Sequence, residues 1–73
     1  MSYHIYKKVE VVGSSDKSTD DAIRNAIDVA SRSLKHMDWF EVVETRGEIR
    51  DGGITYFQVT LKIGFRLNTE AGD

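Results

Sequence analysis

Asp51-Gly52-Gly53, followed by Ile54-Thr55-Tyr56-Phe57-Gln58-Val59-Thr60-Leu61-Lys62-Ile63-Gly64-Phe65-Arg66-Leu67, decides how this chain folds. The Asp-Gly-Gly triplet supplies the positive φ angles that a tight hairpin turn demands. Beyond it the run alternates without a break. Phe57, Val59, Leu61, Ile63, Phe65 and Leu67 face one way, and Tyr56, Gln58, Thr60, Lys62, Gly64 and Arg66 the other. A period of two with one apolar face marks a half-buried strand, so the first set is the core face beneath a helix.

The other arm of the hairpin, residues 39–50, is less orderly. Trp39, Glu41, Val43, Thr45, Gly47 and Ile49 lie against Phe40, Val42, Glu44, Arg46, Glu48 and Arg50, so both faces mix apolar and charged groups. Gly47 inside it predicts a bend or bulge. Upstream, Ala22, Ile23, Ala26, Ile27, Ala30 and Leu34 recur at helical spacing. They predict one apolar stripe on a helix running from an N-cap at Ser18 or Thr19 to about residue 36. Asp20 and Asp21 suit the positive end of its dipole, and Lys35 and His36 the negative end. Residues 3–12 alternate as a first strand, stopped by the turn formers Gly13-Ser14-Ser15-Asp16. Residues 68–73 are polar and expected to fray.

The expected architecture is α+β, in the order β-α-β-β: a single domain over residues 1–73 with one helix packed on a three-stranded antiparallel sheet. Its proportions are unbalanced. A helix of about 18 residues spans roughly 27 Å, whereas a 14-residue strand spans about 47 Å. One helix cannot cover that much sheet, and further copies of the same chain are the economical cover.

Composition narrows the function. At 73 residues the chain is near the lower limit for a self-sufficient core. It has no Cys, which rules out disulfides and thiolate metal sites and suits a reducing cytosol. Its two histidines, His4 and His36, fall on different predicted elements, so no metal site is expected. The net charge of −2 with mixed-sign surface residues gives no basic stripe for nucleic acid. No apolar run approaches the roughly 20 residues of a membrane helix, and no signal-peptide core follows Met1. A soluble, cytoplasmic protein is the expectation. There is no Ser-His-Asp arrangement and no obvious acid/base pair, so no catalytic residue is assigned and the chain is read as a non-enzyme.

The only tryptophan, Trp39, stands where the helix gives way to the second strand. Taken alone, it reads first as a plug for the core, because a large aromatic usually contributes burial. Its place at the start of a strand with two mixed faces, in a sheet too long for its helix, favours a surface shared with another subunit.

The segments Met37-Asp38-Trp39-Phe40-Glu41-Val42, Arg46-Gly47, Tyr56-Phe57-Gln58-Val59 and Gly64-Phe65-Arg66-Leu67, with Tyr6-Lys7-Lys8-Val9-Glu10 and Val12-Gly13-Ser14-Ser15 before them, resemble the dodecin family over nearly the whole chain. The resemblance implies a hollow homododecamer that stores stacked flavin pairs, as FMN, riboflavin or FAD, at subunit interfaces. It implies that Trp39 stacks on the isoalloxazine ring and that Gln58 bonds the ring's polar edge. Arg46, Arg66 and Asp38 match positions near the flavin, the arginines suiting a phosphate-bearing tail. Some bacterial members also bind coenzyme A, with Lys7, Ser33 and Lys35 as candidates here. The alternatives are a coenzyme A-binding or structural shell without flavin, and a flavin-dependent redox enzyme. Gln58 and Arg66 lie eight residues apart on one strand, about 27 Å, so they are expected to serve one flavin only from different subunits.

Overall fold

The computed structural model describes residues 3–67 and has the expected order: β1 (Ile5–Ser15), α1 (Thr19–Ala30), β2 (Met37–Arg50) and β3 (Gly53–Leu67). The expectation for residues 68–73 lies outside the described residues. The sheet is antiparallel throughout, with β3 in the centre between β1 and β2. The best-patterned strand is therefore the one paired on both sides. Asp51 (φ 53°) and Gly52 (φ 77°) form the two-residue turn between β2 and β3, and Arg50 pairs with Gly53 across it. Both turn residues are left-handed, as this kind of hairpin requires.

The core lies where α1 crosses the middle of β3. Val59, Leu61 and Ile63 are fully buried there, packed with Ala22 and Ala26 of the helix. Val9 and Val11 of β1 and Ile23, Ile27, Leu34 and Met37 close around them. Phe57, Phe65 and Leu67 share that face but remain half-buried, because the helix does not reach the ends of β3. Gly13 explains the close approach of α1 to β1: a side chain there would collide with the carbonyl oxygen of Ala22 and come within 2.8 Å of the Ala26 Cβ.

Two boundaries differ most from the sequence reading. The first strand continues to Ser15, because Gly13, Ser14 and Ser15 pair with Val59, Gln58 and Phe57 of β3. Helix α1 stops at Ala30, not near residue 36. There the backbone N–H groups of Arg32 and Ser33 donate to Val29 and Ala30 in a tightened turn, and the Ser31 hydroxyl donates to the Asp28 carbonyl at 2.7 Å. Serines offer such local alternatives to the helix ladder. Leu34 still packs on the core, but from the turn, and Lys35 and His36 lie beyond the helix, whose last turn carries no basic residue. At the other end Ser18 is the N-cap, its hydroxyl accepting from the Asp21 backbone N–H at 3.0 Å.

The imbalance between helix and sheet is larger than expected. Twelve helical residues span about 18 Å, while the fifteen of β3 span about 50 Å. The helix packs on β1 and β3. Phe40 and Val42, on the helix side of β2, stay 47% and 49% exposed.

Candidate functional site

The uneven pattern of β2 has a specific cause. Register shifts fall between Met37 and Trp39 and between Val42 and Glu44, leaving Asp38 and Val43 as extra residues. Each extra residue reverses the parity of the strand beyond it. Met37 pairs with Phe65 on the helix face, yet Trp39, two residues on, pairs with Gly64 on the outer face. Were Asp38 paired in regular alternation, Trp39 would point inward with Met37. The Val43 shift then puts Glu44, Arg46 and Glu48 on the same outer face as Trp39 and Glu41. The irregularity expected at Gly47 is located at these two positions instead. A third shift lies between Glu48 and Ile49.

On that outer face the Trp39 ring lies across the middle strand. A side chain at Gly64 would pass through the six-membered part of the indole, so one ring face rests directly on the Gly64 backbone. Tyr6 of β1, opposite Arg66, makes a T-shaped contact with the indole, with centroids 5.2 Å apart and planes at 67°. The indole Nε1–H donates to the Glu41 carboxylate at 2.9 Å. The same oxygen takes the Lys8 ammonium at 2.7 Å, in an ion pair that joins the two edge strands across β3. Trp39 remains 38% exposed although Gly64 lies against its six-membered ring.

The site residues expected from sequence separate into groups. Trp39 and Arg66 fall at one end of the outer face, with Asp38 exposed at the adjoining bulge. The Arg66 backbone N–H donates to the His36 carbonyl at 3.0 Å, while its side-chain Nε is buried with no hydrogen-bond partner among the described residues. Gln58 and Arg46 sit directly opposite one another at the far end of the same face. Gln58 is six residues from Gly64, about 20 Å at strand rise. One chain therefore brings Gln58 to Arg46 but not to Trp39. Lys7 pairs with Phe65 and so lies on the helix face, away from Trp39. Ser33, in the turn after α1, lines a groove of 580 Å³ with Val9, Val11 and Leu34, and Lys35 lies beyond it, exposed.

Tyr6, Lys8, Glu41 and Gly64 were not among those expectations. Lys8 reads from sequence as cover for an exposed sheet, and Glu41 as a possible cross-strand partner of Arg66 or Lys62. The signal that identifies them is the strand order, which puts Lys8 and Trp39 on either side of Gly64. No single-strand pattern contains that information.

Glu41 is held ionised below the ordinary glutamate range. The hydrogen bond from Lys8 is the main cause, followed by that from Trp39; burial opposes, and the Lys8 and Lys62 charges add to the lowering. A carboxylate depressed in the folded state contributes stability above its unfolded value, and loses it as pH falls through the folded one. Acid titration followed by NMR at the Glu41 carboxyl carbon is expected to show a midpoint below that of a free glutamate. In Lys8→Met, or at high salt, the midpoint should rise towards the ordinary value. An unshifted wild-type midpoint would mean that the bridge does not persist in solution.

A family model described as Dodecin matches residues 5–68. A dodecin from Thermus thermophilus is 49% identical over 63 residues, covering 86% of this chain and 91% of that protein. The solved dodecin of Streptomyces davaonensis is 52% identical with a TM-score of 0.88, over 92% of this chain and 98% of that one. The dodecin structure from Streptomyces coelicolor is 50% identical with a TM-score of 0.90, over 96% and 100% of the two chains.

Proposed function

From its membership of the dodecin family, to which the chain belongs, we propose that this protein binds and stores flavin at the interfaces of a homododecamer. The observation that carries the proposal is the Trp39 indole, supported on Gly64 and still part-exposed at one end of a long, partly uncovered sheet. A flat aromatic face of this kind stacks on planar heteroaromatic rings, each stack being worth about 1–3 kcal/mol by analogy with nucleobases. A symmetry-related Trp39 would close the other side of a stacked pair.

The remaining polar groups fit the same ligand. The buried Nε–H of Arg66 lacks an acceptor among the described residues and lies beside the aromatic cluster, where an anionic tail would satisfy it. Gln58 offers amide donor and acceptor groups to a ring edge, with Arg46 beside it. Because about 20 Å separates Gln58 from Trp39 on one chain, a site using both draws Gln58 from a neighbouring copy. Asp38 acts first through the backbone, turning Trp39 outward. A bound isoalloxazine supplies a chromophore whose excited state is quenched by close contact with an electron-rich indole. The role is binding and sequestration in the cytoplasm, with no catalytic step assigned to any residue.

Purified protein is expected to show flavin absorption and a mass near twelve times the 8.3 kDa chain. Ligand-free protein titrated with FMN should quench its fluorescence to saturation. Lys7, Ser33 and Lys35 lie on or beside the helix face, so added coenzyme A should not displace FMN. A colourless preparation that fails to quench FMN would overturn the flavin reading in favour of a coenzyme A-binding or structural shell.

A further inference from the structure

We propose that Glu41, braced by Lys8, is a positioning residue that locks the Trp39 indole into one orientation over Gly64. The inference rests on the stacking role proposed for Trp39 and identifies what sets the geometry of that role. Three groups constrain the ring from different directions. Gly64 fixes its height above the sheet, since any side chain there would displace it. Tyr6 makes a T-shaped contact with it from β1. Both are contacts of ring surface, and the terminal torsion of the indole is broad, so the ring can still swing against them. Glu41 limits that swing with a directional bond, its carboxylate accepting from Nε1–H at 2.9 Å.

Lys8 gives this bond rigidity. Glu41 reaches the indole from the same face of its own strand, but its carboxylate is simultaneously held from the far edge of the sheet. The Lys8 side chain reaches diagonally over β3, from its place opposite Gly64 to Glu41, which stands opposite Lys62. The ion pair is partly exposed, with 47% and 43% side-chain accessibility. As a source of fold stability it counts for little. Its consequence is conformational: a ring already ordered in the ligand-free protein need not be ordered on binding, and that saving appears as affinity.

Trp39 is the sole tryptophan, so near-ultraviolet circular dichroism of the ligand-free protein reports the fixity of this ring independently of flavin. Glu41→Ala is expected to diminish the indole bands while leaving the far-ultraviolet spectrum and assembly mass unchanged. Its Kd for FMN should rise about tenfold, the loss expected for one charge-assisted hydrogen bond. Glu41→Gln retains an acceptor for Nε1–H and should stay within about threefold of wild type. An unchanged indole spectrum in Glu41→Ala overturns the proposal. So does a changed spectrum with unaltered FMN affinity, or a glutamine variant as weak as the alanine one. Failure of the wild type to bind FMN would refute the stacking role, while the ligand-free spectra would still decide whether Glu41 fixes the indole.

Discussion

Leu61→Asp is expected to leave the chain without a cooperatively folded state. Leu61 has no solvent exposure and sits at the centre of β3, paired with Val11 on one side and Val42 on the other. Truncating such a leucine costs about 2–5 kcal/mol through lost burial and the cavity left behind. A carboxylate adds several kcal/mol more, because no cation in the cluster of Val59, Ile63, Ala22 and Ala26 can pair with it. Small domains have total stabilities near the low end of about 5–15 kcal/mol, so the penalty alone exhausts what is available. Loss of far-ultraviolet circular dichroism and of NMR dispersion would show it. Leu61→Ala, expected to fold with a lowered midpoint, grades the effect. A soluble Leu61→Asp protein with a wild-type melt would mean that the helix does not cover this face.

That test bears on the part of the fold most legible in the sequence. The alternation of β3 from Tyr56 onward reads correctly because that run is paired on both edges and buried on one face only, and the extra residue on this strand, Thr55, lies before it. The Asp51-Gly52 turn reads correctly because only a few residue types tolerate its backbone angles. In β2 the same reasoning fails at a definable point. Periodicity assumes unbroken parity, and Asp38 and Val43 each interrupt it. The mixed faces inferred for this strand are two orderly faces exchanged partway along. The helix reads too long from sequence for a related reason: Leu34 keeps the apolar spacing and the core contact, although it has left the helix.

The candidate site was legible only residue by residue. A lone tryptophan at an element junction is a recognisable signal, and family resemblance places Gln58, Arg46 and Arg66 near a flavin. What sequence does not contain is the order of strands, and that order assembles Tyr6, Lys8, Glu41 and Gly64 around the ring. Lys8 and Glu41 are more than thirty positions apart and on opposite edges of the sheet, and their ion pair exists only because both edge strands pair with β3 in this register. Gln58 illustrates the converse. It lies on the outer face as expected, yet its distance from Trp39 shows that residues sharing one face need not make one site within one chain.

Trp39→Ala is expected to weaken FMN binding by about 1–3 kcal/mol per ring, roughly a tenfold to hundredfold rise in Kd, with fluorescence quenching reduced in parallel. The fold should survive, because Trp39 lies outside the buried cluster and is already 38% exposed. Its removal uncovers the Gly64 backbone and Tyr6 but opens no cavity in the core. The loss of affinity should also exceed that of Glu41→Ala, since one variant deletes the stacking surface and the other only loosens it. Trp39→Phe separates area from orientation: it keeps an aromatic face over Gly64 but cannot donate to Glu41, so its affinity should fall between wild type and Trp39→Ala. If Trp39→Ala binds FMN as wild type does, the ring is merely cover for the sheet, and the outward turn imposed by Asp38 must serve contacts between subunits instead.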